Sequence, residues 1–483
     1  MLRNPCRKKN LCVSVVLAGV RSKYKSVAAI TAVVMTLTFA QLSLHVERLA
    51  RAERGLHDMQ SSAEPAVGRN DNMNKSIDTK KSFTFTRVHR PGTNTQKLPR
   101  LEENFQPINK HEAWVYSVFY DKLNEITFLR VMGIENNQTN NLIFCLVKDS
   151  GSNVIISGKR TVLPDTHFKK FRSVNYECRL RDGQRPQYVS IVFDPSAAAT
   201  NQMPVQYPAP KTKNFTVCYS ILFNFKSASQ LIQNIEFNKF IGVQHFHVYN
   251  FSVSDSADVV LRHYQSQGVL TVHQWSLPSL EIWYYAQVLA INDCVYRNRN
   301  VSKYVIIQDT DEFIIPIRHN SLSDVVAIVE ENFQKTSINS AKSTGKGKET
   351  LGSITFETSN YYSMASPPVW ETIKQNFSIS KKEEASFRKY QVLPFLHLRR
   401  INSTFKYLGR SKTMVRPERI LHAGIHFTRE HRDNATHAQV GADLVLLHHF
   451  RYNPNPCVLD TSAMRFKDLV FPKMLEKFFA LIG

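Results

Sequence analysis

The run YVIIQ at residues 304–308 is apolar along its whole length and stops at Asp309-Thr310-Asp311-Glu312. A strand with one wet face alternates apolar and polar residues. One that does not alternate is covered on both faces, as in a parallel sheet sandwiched by helices. The surrounding pattern agrees. Strands are expected at 216–223, 243–249 and 269–273, and helices at 227–241, 255–267 and 282–297, with YVIIQ as the fourth strand. This alternation predicts an α/β, Rossmann-type domain over residues 214–475. Ligands of such sheets gather at the carboxyl ends of the strands, where Asp309 and Asp311 stand.

Upstream the character changes. Residues 111–205 carry short alternating runs that predict a small β-rich accessory domain, and residues 45–110 are polar and read as a stem. Residues 26–44 contain no charge and follow a basic segment at 1–25. This predicts a single membrane-spanning signal anchor with a cytoplasmic tail and a luminal body, the alternative being a cleaved signal peptide. Eight Asn-x-Ser/Thr sequons, at Asn74, Asn137, Asn214, Asn250, Asn300, Asn376, Asn402 and Asn434, support the secretory route, with the Golgi membrane as the expected location. Of the seven cysteines, Cys145, Cys178, Cys218, Cys294 and Cys457 would be luminal, where some should pair; the sequence leaves the connectivity open. The formal charge of +22 favours phosphates, anionic glycans or headgroups. Dispersed basic residues without a reading motif argue against nucleic acid as a partner.

Two carboxylates leaving the sheet together suit a hard divalent cation, Mn²⁺ or Mg²⁺, which retains positions for phosphate oxygens. Further ligands are sought in the histidine-rich segments ILHAGIH at 420–426 and LLHHFR at 446–451. There His449 is a metal candidate and Arg451 a phosphate partner, against the alternative of local hydrogen bonds and a stabilising ion pair.

The segments CYSILFNFKSASQLIQNIEFNKFIGVQHFHVYN, WYYAQVLAINDC, YVIIQDTDEF, MVRPERILHAGIH and LLHHFR occur in order over residues 217–451. The chain thereby resembles glycosyltransferase family 92, whose characterised animal members are β-1,4-galactosyltransferases. The resemblance implies a GT-A fold, inversion at the anomeric carbon, UDP-galactose as donor, Mn²⁺ as cofactor and a glycan acceptor such as fucose or galactose of N-glycans. It implies that Asp309, Asp311 and His449 approach the metal and that Gln287 and Asp293 lie on the donor side. Phe450 stands where the family usually has Tyr.

Inversion needs a base opposite the departing diphosphate. Glu357, Glu371, Asp433 and Asp443 are candidates, with Asp443 and Glu371 carried forward as catalytic, each against the alternative of a solvated surface carboxylate. Trp370, beside Pro367 and Pro368 in an expected loop, is the candidate acceptor platform. The 337–350 segment is expected to be a surface loop. The competing function is a membrane-anchored glycan-binding protein that keeps the fold without the chemistry.

Overall fold

The computed structural model describes residues 85–87, 104–149, 152–164, 166–344, 347–406, 409–451 and 458–483. The expected tail and membrane span, most of the stem and Cys457 lie outside the described residues. Among the described residues no helix is long and apolar enough to cross a membrane.

The β-rich part is a nine-stranded antiparallel sheet. Its strands run in the order Gln106–Pro107, Ala113–Leu123, Ile126–Asn136, Phe171–Arg179, Ser152–Val162, Ile143–Asp149, Tyr188–Val192 and Met203–Pro204. Phe85–Arg87 pairs outside this path with Ser152–Val162. Two of these strands fall in the expected stem, so the stem is partly built into the fold. A disulfide, Cys145–Cys178, links two of its strands.

The second sheet carries the α/β pattern. We number its elements β1 (Lys213–Tyr219), α1 (Ala228–Phe240), β2 (His245–Asn250), α2 (Asp255–Ser266), β3 (Leu270–Gln274), α3 (Gln287–Arg297), β4 (Ser302–Gln308), β5 (Glu312–Pro316), α4 (Leu322–Thr344), β6 (Thr350–Phe356), β7 (Thr358–Ser363), α5 (Pro367–Asn376), β8 (Lys412–Val415), β9 (Ala435–Val440) and β10 (Val445–Phe450). The order is β3-β2-β1-β4-β8-β6-β9, with β3, β2, β1 and β4 mutually parallel and β8 antiparallel to both neighbours. The strand order therefore reverses between β1 and β4, the switch point at which a doubly wound sheet opens a ligand crevice. A smaller sheet begins β5-β10-β7.

The two parts share one core. Tyr116, Phe119, Leu163 and Phe171 of the β-rich sheet pack in the same buried cluster as Trp275, Leu289 and Val295 of the α/β part. Asp121, 4% exposed, accepts from Arg130 of its own sheet at 2.5 Å and from Arg432 at 2.9 Å, and pairs with Arg299 at 2.6 Å. The β-rich region is thus fused to the α/β part through buried contacts.

Two local expectations are corrected. The helix expected at 282–297 is broken: residues 283–286 form a tight turn, and Tyr284, Tyr285 and Ala286 take φ of 42°, 56° and 63°. The loop expected at 337–350 is largely helix, because α4 continues to Thr344, just before Gly345; Ser337 is buried and its hydroxyl donates to the Glu349 carbonyl.

Candidate active site

Asp309, Asp311 and Glu312 emerge where β4 ends. Helix α1 braces the turn they form. Gln230 Nε2 donates to Thr310 Oγ1 at 2.8 Å, and Asn234 Nδ2 donates to the carbonyls of Thr310 and Glu312 at 3.1 and 2.6 Å. Asn234 is fully buried and also accepts from Tyr219 Oη at 2.7 Å. A buried amide with every partner satisfied fixes its surroundings, which makes the acidic turn rigid.

Antiparallel pairing of β5 with β10 sets Glu312 opposite His449. His449 Nε2 lies 3.5 Å from Asp311 Oδ2, and its Nδ1 lies 3.7 Å from Glu312 Oε1. Lys412, at the start of β8 and 1% exposed, reaches the same acids. Its Nζ is 2.6 Å from Asp309 Oδ2 and 3.3 Å from Glu312 Oε2.

These contacts separate the three acids electrostatically. Burial pushes the Asp309 carboxyl up, but the charge and hydrogen bond of Lys412 outweigh it and hold the group at about 2. Burial dominates at Glu312, and the neighbouring Asp309 charge adds to it against Lys412, raising this carboxyl to about 7. His449 is lowered by burial, yet the hydrogen bond to Asp311 and the flanking carboxylates of Glu312 and Asp311 outweigh that and raise it. Lys412 stays cationic because its two carboxylates overcome desolvation.

A cavity of about 610 Å³ opens over these groups. It is lined by Asp309, Asp311, Glu312 and His449, by Trp283, Tyr284 and Gln287, by His167 from a turn of the β-rich part, and by Arg410, His426, Arg429, Arg451 and neighbours from the C-terminal segments. Gln287 Nε2 donates to Ser220 Oγ, just past β1, at 2.6 Å, which ties α3 to the switch point.

Five expected site residues therefore converge: Asp309, Asp311, Gln287, His449 and Arg451. The others lie elsewhere. Asp293 is fully buried beneath the sheet, where it accepts from Tyr249 Oη and Arg297 Nε at 2.5 and 2.6 Å; it positions strand and helix rather than facing the cavity. Trp370 is not in a loop: Pro367 and Pro368 start α5, and the indole is 3% exposed with Nε1 donating to Glu384 at 2.8 Å. Asp443 precedes β10 at the end remote from His449, with a 74% exposed side chain 3.6 Å from Arg318. Glu371, 63% exposed on α5, pairs with Lys374 at 2.7 Å and is absent from the cavity lining. Phe450 packs on Phe313 and Tyr361, at ring separations of 5.4 and 5.6 Å, a contact that does not need the usual Tyr hydroxyl.

Sequence reasoning missed Lys412, Gln230, Asn234, Arg410 and His167. A lysine among the otherwise apolar or small residues of SKTMV, and Gln and Asn on the apolar face of α1, were the available signals.

Comparison with known proteins bears directly on this site. The sequence model of Glycosyltransferase family 92 matches residues 213–478, more than half of the chain, and includes β1, the acidic turn and β10. This chain belongs to glycosyltransferase family 92. Within the curated proteins, Beta-1,4-galactosyltransferase galt-1 of Caenorhabditis elegans is 24% identical over 338 residues, covering 66% of this chain and 69% of the relative. A galactan beta-1,4-galactosyltransferase of Arabidopsis thaliana is 26% identical over 156 residues, covering 28% of this chain and 30% of its own length. Among solved structures, the glucosyl-3-phosphoglycerate synthase of Mycobacterium tuberculosis in complex with Mn²⁺, UDP-glucose and phosphoglyceric acid aligns at 13% identity and a TM-score of 0.19. That alignment covers 43% of this chain and 58% of the other. With so low a score, the fold assignment rests on the strand order itself.

Proposed function

We propose that this family 92 member transfers galactose from UDP-galactose to a glycan, inverting the anomeric carbon to form a β-1,4 linkage to fucose or galactose of N-glycans. The fold would be the GT-A form of the nucleotide-sugar domain. The observation that carries the reading is the rigid acidic turn at the switch point, opening into a cavity large enough for a sugar nucleotide. The β-1,4-galactosyltransferase names of the two relatives support the choice of sugar and linkage.

Among the described residues no three His, Cys, Asp or Glu side chains already converge on one ion position. Asp309, Asp311 and His449 line the same cavity, and two carboxylates with an imidazole are donor types that suit Mn²⁺ or Mg²⁺ completed by phosphate oxygens. A cation held there supplies Lewis-acid stabilisation of the departing diphosphate. The chain's own residues do the rest. Lys412 keeps Asp309 ionised, Gln287 fixes α3 beside the donor, and Arg410, Arg429 and Arg451 offer guanidinium groups to phosphate. Because Asp443 and Glu371 stand outside the cavity and Asp311 belongs to the metal set, the proton of the acceptor hydroxyl is left to another cavity group, Glu312 or His426.

We place the protein in the Golgi membrane, anchored through residues 26–44. The disulfides Cys145–Cys178 and Cys218–Cys294 fit an oxidising compartment, and the sequon asparagines Asn137, Asn214, Asn300, Asn376, Asn402 and Asn434 are exposed. Incubating the protein with UDP-galactose and fucosylated or galactosylated N-glycans, then assigning the new linkage by NMR, tests the reaction. A 1→4 β-linked galactose is the expected product. Transfer of a different sugar, or of none, removes the assignment.

A further inference from the structure

The link between β3 and α3 is held in an unusual conformation. Three consecutive non-glycine residues, Tyr284, Tyr285 and Ala286, are left-handed, each at a conformational cost that the surroundings must impose. The surroundings are visible. Trp275 Nε1 donates to the Tyr285 carbonyl at 2.8 Å, and Phe223 stacks on the Tyr285 ring at 4.0 Å. The β-rich part also grips the segment. The Phe171 N–H donates to the Glu281 carbonyl at 3.0 Å, and His167 stacks on Trp283 at 3.9 Å with 26° between the rings. What this clamp leaves uncovered is the Tyr284 ring, 59% exposed and lining the cavity beside Gln287.

We infer that the β-rich sheet is a working part of the donor site: His167, through Trp283, is a positioning residue that presents Tyr284 as the stacking surface for the ring of a bound pyrimidine nucleotide. The inference rests on the sugar-nucleotide reading above. It assigns the ring to the donor because the segment sits on the β3-β2-β1-β4 half of the sheet and runs into Gln287, which is bonded to Ser220 at the end of β1. The C-terminal wall, with its arginines and His426, is left to the phosphates and the acceptor.

The test is UDP binding to the full chain in the presence of Mn²⁺, by calorimetry, with donor KM and kcat measured alongside. His167→Ala removes one stacked ring at an exposed position and should weaken UDP binding by about 3- to 10-fold, raising donor KM with kcat retained. His167→Phe restores the flat ring and should return affinity to within about 2-fold of wild type. Tyr284→Ala should weaken UDP by at least about 5-fold while Tyr284→Phe does not. Unchanged UDP affinity in His167→Ala, when the wild type binds UDP, overturns this inference and leaves the transferase reading standing. A His167→Phe protein as weak as His167→Ala also overturns it, since a flat ring would then not be what matters. A wild-type chain that binds no UDP at all removes both.

Discussion

Replacing Lys412 by Met keeps the length of a buried side chain and deletes its charge. The ammonium is 2.6 Å from Asp309 and 3.3 Å from Glu312, and only 2% of the side chain is exposed. Removing one member of a buried ion pair costs about 3–5 kcal/mol, because the partner is left desolvated and uncompensated. Two features of the site lower that figure. The Asp309 side chain is 31% exposed and can regain some hydration, and Glu312, already near 7, can take a proton. We therefore expect Lys412→Met to lose about 2–3 kcal/mol of stability in urea denaturation at neutral pH. Asp309→Asn should lose less, since Lys412 retains Glu312. The combined variant should be more stable than the sum of the two losses predicts by at least about 1 kcal/mol, the coupling expected of residues in direct contact. Losses that add to within about 0.5 kcal/mol would refute the claim that this lysine and the metal-motif aspartate form one electrostatic unit.

Burial pushes the Asp121 carboxyl up, but Arg299, Arg130 and Arg432 outweigh it and hold it well below the usual carboxylate range. A carboxylate depressed in the folded state stabilises the fold above its unfolded value of about 3.9 and loses that contribution as pH falls further. Asp121→Asn should therefore cost about 3–5 kcal/mol at pH 7, with the gap from wild type narrowing below about pH 4 in denaturation titrations. Asp443→Ala should leave transfer rates near wild type, because this exposed side chain stands outside the cavity. Trp370→Ala should lower stability by about 3–5 kcal/mol, as expected for a buried indole, and any loss of activity should track the loss of folded protein.

The parallel half of the fold was legible because a strand covered on both faces shows it in its own composition, as YVIIQ does. The acidic turn was legible for the same reason: its importance follows from where such a strand ends. Lys412 was not, since β8 reaches β4 through antiparallel pairing of Val415 with Val305 and Met414 with Ile306, residues more than a hundred positions apart. The Trp370 expectation failed because a Pro-Pro pair suits the first turn of a helix as well as a loop. The broken helix at 284–286 was hidden because its apolar residues keep helical spacing while tertiary contacts from Trp275, Phe223 and the β-rich sheet hold the backbone left-handed. His167 carries no local signal; it enters the cavity only because the two sheets share a core.

The central claim is most directly tested by UDP release from UDP-galactose in the presence of a glycan acceptor, with Mn²⁺ or with EDTA, for the wild type, Asp309→Asn and Asp311→Asn. Release that requires the metal and falls about 100-fold or more in each folded variant is the predicted result. Metal-independent glycan binding that survives both substitutions, with no UDP released by the wild type, would contradict it and identify a binding protein built on a transferase fold.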